Sequence, residues 1–272
     1  MEPQEYHTLF SVEDTHWWFK SLHEHVVRCL QCHAEPFGKA QDKLRRSMTS
    51  GNVSPFASAQ GDTPALRFFD AGCGTGGLAK HLSALGEVEG VDSSPLAIEY
   101  CRKRGLTGMQ YADLNTFTLE RERYDAITSI DVLYHRSILD PLSIMKKFHA
   151  ALKPGGIFFL HLPAFEFLRS SHDTLVHTGH RYTLREAKKL VRDAGLEVEH
   201  ASYRLMFLFL PVLFLRWLRT PFQKKETSDI GKVSPLINIP LLFLSRMENA
   251  LSRVIPLPFG VSLYVIARKT SP

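Results

Sequence analysis

Cysteine is scarce: the 272-residue chain holds Cys29, Cys32, Cys73 and Cys101 and no others. So few thiols in a chain of this length exclude a disulfide scaffold. The opening stretch MEPQEYHTLF lacks a basic region followed by an apolar run, so no secretory leader is read there and the expected compartment is a reducing cytoplasm. Long hydrophobic runs are missing too. The apolar run Leu205 to Leu215 would make a helix of only about 16 Å against a hydrocarbon core of about 30 Å, and Pro211 interrupts it, so a transmembrane span is not expected. Excess charge of one sign is small. The balance of 33 basic against 28 acidic residues leaves +5, too diffuse for a nucleic-acid footprint, and no nucleic-acid partner is expected. Cys29-Leu30-Gln31-Cys32-His33 matches the C-x-x-C-H haem string, but covalent haem attachment of that kind needs export and a zinc site needs a second ligand pair. No metal is expected. What is present, 44% hydrophobic and 22% charged residues, excludes disorder as the main state and suits one large domain or two small ones.

The stretch Glu13 to Leu30 opens with Asp14-Thr15 as caps and sets Trp17, Leu22, Val26 and Leu30 at helical spacing, which predicts an N-terminal helical cap over 1–34. Over 35–65 the composition shifts to Gly, Ser, Pro, Gln and Thr with a basic knot at Lys43, Arg45 and Arg46, and a linker or loose insertion is predicted. From Leu66 apolar runs alternate with helical stretches: a run ending in DAGCGTGG, then VEGVD, MQYAD, YDAITSIDVLYH and, after the turn Lys153-Pro154-Gly155-Gly156, IFFLHLP. Alternation of this kind predicts parallel strands with crossover helices, and ligands at the polar strand ends. The core is expected over 66–203, with a final strand and tail over 260–272. Between the last two strands, LEVEHASYR and GVSLYVIARK, the segment 204–259 holds Leu205 to Leu215, the basic residues Arg216, Arg219, Lys224 and Lys225, and a second apolar stretch from Leu236 to Leu244. Three readings stay open for 205–244: buried core of a helical subdomain, a lid over an apolar acceptor, or a patch lying on an anionic membrane surface.

Gly72, Gly74 and Gly77 fit G-x-G-x-x-G after a strand and before a helix, which by itself suits a dinucleotide fold. The same string also reads Asp70-x-Gly72-x-Gly74-x-Gly76, with Asp92 at the end of the next strand. Asp70 separates the cofactors. A carboxylate about 4 Å from a pyrophosphate charge repels it by about 4 kcal/mol at an effective dielectric of 20, whereas S-adenosylmethionine brings an ammonium and a sulfonium.

These residues resemble the class I S-adenosylmethionine-dependent methyltransferases. Phe68-Phe69-Asp70-Ala71-Gly72-Cys73-Gly74-Thr75-Gly76 is similar to that family's first motif, and Val91-Asp92 to the acidic end of its second strand. Ala112-Asp113-Leu114 is similar to its adenine-side motif, Tyr124 to His135 to its fourth strand and loop, and Leu152 to Gly156 to the turn before its fifth. Glu13-Asp14-Thr15-His16-Trp17-Trp18-Phe19 and His180-Arg181-Tyr182-Thr183 resemble segments of a bacterial subgroup of that family (type 11/type 23-like), whose members often act in natural-product or glycan biosynthesis. The insertion at Glu35 to Pro64 and the long apolar segment before the last strand depart from the pattern. The resemblance implies a doubly wound, Rossmann-like α/β sheet of seven strands with the last strand antiparallel, to which the residues themselves add an N-terminal helical cap and an apolar helical insertion before that strand. It further implies S-adenosylmethionine as cofactor, held by Asp70, Gly72, Gly74, Gly76, Asp92, Ser93, Asp113, Leu114 and Ile130.

Trp17 and Trp18 are read either as a lid over a sulfonium-bearing ligand or as core, with only one of the two adjacent indoles facing the site. His135, His161 and His180 are candidate bases, because methyl transfer to a protonated acceptor needs one. Arg181 and Tyr182 are candidate substrate contacts. The expected reaction is methyl transfer to a small, apolar or lipid-linked acceptor, oxygen first and nitrogen or carbon open, by a cytoplasmic enzyme that associates peripherally with a membrane through 205–244. An RNA or protein methyltransferase, and a non-catalytic membrane-associated partner that keeps the fold, are the alternatives.

Overall fold

The computed structural model describes residues 2–33, 65–219, 231 and 233–270, without the side chains of 216–219. The linker expected at 35–65 therefore lies, but for Ala65, outside the described residues. Strands β1 (Leu66–Ala71), β2 (Gly86–Asp92), β3 (Met109–Tyr111), β4 (Tyr124–Ile130), β5 (Leu152–Pro163), β6 (Glu197–Arg204) and β7 (Ser262–Arg268) form one sheet in the order β3-β2-β1-β4-β5-β7-β6. The first five run parallel, and β7 runs antiparallel to both of its neighbours, β5 and β6. The doubly wound sheet with a reversed last strand is as the resemblance implies.

Adjacent residues of a strand point to opposite faces, and the paired phenylalanines are sorted accordingly. Phe69 and Phe158 pack with Phe148 of α5 (Pro141–Ala151) and Val191 of α7 (Leu184–Asp193). Phe68, Phe159 and Tyr264 face the other side, against Leu22 and Val26 of α2 (Trp17–His33). Local signals set the helix starts. The Asp140 carboxylate accepts from the amides of Leu142 and Ser143 (3.0 and 3.2 Å) to open α5, and Thr183 with Glu186 forms a reciprocal cap on α7.

The N-terminus departs from expectation. A first helix, α1 (Pro3–Val12), precedes α2, and Asp14-Thr15 do not cap α2. Asp14 instead turns outward to Arg104 (2.9 Å) and Lys80 (3.4 Å). The free amides at the start of α2 are taken from elsewhere: Trp17 donates to Asn238 Oδ1 (2.8 Å) and Trp18 to His16 Nδ1 (3.2 Å). Long-range partners of this kind leave no local sequence pattern.

The apolar insertion forms α8 (Met206–Arg219) and α9 (Pro235–Ser252). Among the described residues no apolar side chain of either helix is fully buried, whereas Ser245, Glu248, Asn249 and Ser252 of α9 are. The buried-core reading of this segment is overturned. Polar contacts seat α9 on α2. Asn249 Nδ2 donates to Ser21 O (3.0 Å), Ser245 Oγ donates to Ser21 Oγ (2.8 Å), and the fully buried Arg204 donates to Asn249 Oδ1 (2.9 Å) and Ser21 Oγ (2.6 Å). Glu248 accepts from the amides of Leu205 and Phe207, which start α8 after a left-handed residue at Leu205 (φ +61°). No described helix is long and apolar enough to cross a membrane. Glu248→Ala leaves two amides short of an acceptor and should cost about 2–3 kcal/mol, read as a lower urea midpoint with an unchanged slope.

Candidate active site

In an open sheet the crevice lies where the strand order reverses, outside the carboxyl ends of the strands. Here that point is between β1 and β4, with β2 beside them, and a cavity of about 550 Å³ opens there. The glycine loop forms part of its wall. The amides of Gly72 and Cys73 both donate to Val91 O (2.8 and 2.9 Å), folding the loop back on β2, and Gly72, Gly74 and Gly76 all take positive φ. A Cβ on Gly72 would stand 2.2 Å from Val132 Cγ2, so this glycine is required by packing. A Cβ on Gly74 would meet nothing closer than Leu9 Cδ2 at 3.8 Å, so its backbone is open to the cavity. Gly76 was expected at the ligand but is not in the cavity wall. Its Cα faces Leu106 and Cys101, where a Cβ would come within 2.7 Å, and it serves the packing of the loop on α4 (Pro95–Lys103) and the turn after it.

Asp92 and Asp70 are among the buried acids of the wall. Asp92, 9% exposed, accepts from the amides of Gly74 and Ser94 (both 2.9 Å) and from the Tyr6 hydroxyl (3.2 Å). Burial pushes its carboxyl up, against the pull of those donors. Asp70, 2% exposed, accepts from Thr128 Oγ1 (2.7 Å), and burial pushes it up to about 6. Ser93, Asp113, Leu114 and Ile130 also line the cavity, and Asp113 is bound by the amide and the side chain of Asn115 (2.9 and 2.7 Å).

A cover over these acids was not legible in advance. Tyr6 comes from α1, which packs on α4 through Phe10 stacked on Tyr100 (4.2 Å). Pro3 at the helix start and Tyr6, Leu9 and Phe10 at helical spacing were the available signal. Glu13, just past α1, accepts from Thr75 Oγ1 and pairs with Arg104 Nη2 (3.0 Å). Burial pushes its carboxyl up to about 7, against the downward pull of Thr75 and Arg104. Trp17 and Trp18 both line the cavity, where only one was expected to, and Phe19, Leu22 and His23 carry the wall on along α2.

The histidine candidates separate. His161 is fully buried in the wall, its Nδ1 3.1 Å from Asp131 Oδ1 and its Nε2 3.0 Å from Ser262 Oγ. Asp131 holds a left-handed conformation (φ +53°), and its amide also donates to His161 O (3.1 Å), so backbone and side chain fix the ring together. Asp131 and Ser262 escaped the sequence reading, yet both lie at the ligand-binding edge: one follows β4 and the other begins the reversed β7. His135 lines the cavity, and burial pushes its pKa down to about 4. His180 is exposed, 3.7 Å from Glu186 and outside the cavity wall. Arg181 lines the cavity but is tied to Asp173 (2.7 Å) and Ala164 O (3.0 Å), and Tyr182 is outside the wall, its hydroxyl on Leu133 O (3.3 Å). No metal-binding cluster of three or more such groups occurs among the described residues.

A family profile described as a methyltransferase domain matches residues 39–201, more than half of the chain. The chain belongs to the methyltransferase family, and its class is the S-adenosylmethionine-dependent one of the class I fold. Among curated proteins it is similar to a ubiquinone biosynthesis O-methyltransferase of Xanthomonas oryzae pv. oryzae, 31% identical over 112 residues, which is 39% of this chain and 46% of that protein. One of Methylocella silvestris is 35% identical over 100 residues, 35% of this chain and 38% of that protein. The match spans less than half of the length of these relatives. The fold is shared with a complex of the Haloferax volcanii Trm112 methyltransferase activator and a methyltransferase (TM-score 0.52, 20% identity, 76% of this chain and 84% of that one). It is shared also with a geranyl diphosphate methyltransferase (TM-score 0.51, 16% identity, 78% and 73%). The wall suits the cofactor: a buried carboxylate with one side-chain donor at Asp70 answers a cation, and the bare backbone at Gly74 admits close approach.

Gly72→Ala should cost about 2–4 kcal/mol from the Val132 clash and the positive φ, measured by urea unfolding. Glu13 carries a pH signature. Folding raises its pKa from the ordinary 4.5 to about 7, so ionising it opposes the fold. Its contribution is most favourable below about pH 4.5 and declines as pH rises through 7. Unfolding free energies of the wild type and Glu13→Gln, compared from pH 4.5 to 7.5, should diverge with that slope.

Proposed function

We propose that this chain transfers the methyl group of S-adenosylmethionine to a hydroxyl oxygen of a small apolar acceptor of the lipid-linked class, in biosynthesis of a natural product, glycan or lipid. One observation carries the reading: a single cavity is walled by Asp70, the glycine loop and Asp92 on one part, by the Asp131–His161–Ser262 array on another, and by the apolar Leu205, Leu208 and Val212 on a third. The bound cofactor supplies an electrophilic methyl on a sulfonium. In this reading Gly72 and Gly74 admit its methionine part and Asp70 faces the ammonium. Asp92 takes the ribose hydroxyls, with the Tyr6 hydroxyl giving up its place, while Asp113 and Leu114 contact the adenine and Ser93 and Ile130 complete the wall. Trp17 and Trp18 exclude water from the reacting atoms.

The proton of the acceptor is handled by His161. An ionised carboxylate only accepts, so the Asp131 contact puts the imidazole proton on Nδ1 and leaves Nε2 as a base. Ser262 donates to that nitrogen and marks the direction from which an acceptor hydroxyl delivers its proton, either directly or through Ser262 Oγ. Asp131 then stabilises the imidazolium, which holds the proton at Nε2 while the acceptor oxygen gains the methyl group. The two curated relatives, both named as O-methyltransferases, support oxygen as the atom methylated. The apolar third of the wall and the α8–α9 segment support an acceptor met at a membrane face by a peripherally bound enzyme.

Transfer of labelled methyl from S-adenosylmethionine to a water-soluble catechol and to a prenylated hydroquinone in detergent should be seen, faster for the second. His161→Ala should lower kcat by about 10²–10⁴-fold and leave calorimetric binding of S-adenosylhomocysteine unchanged, whereas Asp92→Ala should weaken that binding at least about tenfold by loss of charge-assisted hydrogen bonds. Turnover unaffected by His161→Ala, or methyl appearing only on nitrogen or carbon acceptors, would sink the hydroxyl reading.

A further inference from the structure

An amphipathic helix at the surface of a water-soluble domain ordinarily turns its apolar stripe inward. Helix α9 does the reverse. At 3.6 residues per turn, Leu236, Ile239, Phe243, Met247 and Leu251 share one stripe, and all are exposed, Leu236 at 87% and Phe243 at 61%. On the opposite side Ser245, Glu248, Asn249 and Ser252 are buried. Polar contacts fix this orientation. Ser245 and Asn249 bind Ser21, Glu248 takes the first amides of α8, and Ser252 Oγ is 3.1 Å from the Tyr264 hydroxyl. Turning the helix over would strip partners from four buried polar side chains, so the outward apolar stripe belongs to the native packing.

We propose that the outward faces of α8 and α9 are a docking surface for an anionic lipid bilayer; this rests on the apolar-acceptor reading above and names the surface that meets it. Two observations choose this occupant. The sequence 216–232, which ends α8 and leads towards α9, holds Arg216, Arg219, Lys224, Lys225 and Lys232 against only Glu226 and Asp229. A segment of that charge complements anionic headgroups. The second is continuity with the cavity. Leu208, Val212 and Leu215 line it, and Leu215 is also 48% exposed, next in the helix to the exposed Phe214, so the cavity wall runs out onto the exposed apolar face of α8. Pro211 and Pro240 sit inside the helices and no described helix is long and apolar enough to span, so on this proposal the pair lies in the interface plane.

Sedimentation of the full chain with phosphatidylcholine vesicles, and with vesicles containing one quarter phosphatidylglycerol, tests this without any methyl acceptor. The wild type should pellet with the anionic vesicles at least tenfold more tightly than with the neutral ones, and 0.5 M NaCl should weaken that preference. Leu236→Asp/Phe243→Asp should lower binding to anionic vesicles at least tenfold, and Met247→Asp should lower it in a second, independent variant. Lys224→Glu/Lys225→Glu should remove most of the salt-sensitive part. Unchanged S-adenosylhomocysteine binding and circular dichroism establish that each variant is folded. Wild type that stays in the supernatant with both vesicles, or variants that pellet as the wild type does, would overturn the proposal. So would a wild-type dimer that the aspartate variants split and that does not bind vesicles, since the stripe then covers a second copy. Vesicle binding with no hydroxyl methylated leaves the docking surface standing and fails only the acceptor reading.

Discussion

A guanidinium removed from water obliges its surroundings to be polar, and much of this molecule is arranged around that obligation at Arg204. The side chain is fully buried at the end of β6, and burial pushes its pKa down to about 10, with Glu248 pulling the other way. Ser21, Ser245 and Asn249 answer it at Nε and Nη2, while Nη1 is buried without a hydrogen-bond partner, and the Trp18 ring lies 6.0 Å from the guanidinium carbon. Those partners belong to two helices distant in sequence, so satisfying one cation sets α2 and α9 against the same strand end. Two consequences follow from that single arrangement. Trp18 is held edge-on to His161 (5.9 Å between ring centroids), beside the cavity, and α9 has its polar face inward. With the polar face committed, the apolar stripe has nowhere to point but out.

The sheet was legible because its determinants are local. Apolar runs of strand length, separated by helical stretches and closed by polar residues, carry the parallel order in themselves, and the residues at the carboxyl ends of β1, β2 and β4 meet at one crevice by topology alone. Asp70 was informative for an electrostatic reason that survives folding, since a carboxylate buried beside a bare backbone prefers a cation to a phosphate. Glycine was less informative than it looked. Gly72, Gly74 and Gly76 read as one motif, yet they meet three different constraints: a clash with Val132, an open approach, and packing on Leu106.

What escaped the sequence was set by long-range contact. The start of α2 is capped by Asn238 from the far end of the chain, the His161 ring is oriented by Asp131 and Ser262 from two other segments, and Tyr6 reaches Asp92 across the whole of β1 and β2. His180, Arg181 and Tyr182 are the converse case, and of the three only Arg181 lines the cavity. They stand together in a motif, but one is solvent-facing, one is held in a buried ion pair, and one supports the loop after β4 through Leu133 O. Proximity in sequence does not make a shared site, because the backbone of an irregular segment sends successive side chains in unrelated directions. The apolar insertion stayed open among three readings for a related reason: composition reports how much hydrocarbon a segment has, not which side its few polar residues will demand.

The hydroxyl of Tyr6 rests on the carboxylate that the proposed reading gives to the ribose. Because Tyr6 rides on α1, which is anchored on α4 through Tyr100, that contact is a plug supplied by the protein itself, with a free energy of its own. Any ligand reaching for Asp92 competes against an intramolecular rival always present at high effective concentration. On that reading the affinity at this site is a difference between two closed arrangements, and substitutions on the outer face of α1, remote from every reacting atom, would tune it by changing the stability of the plug.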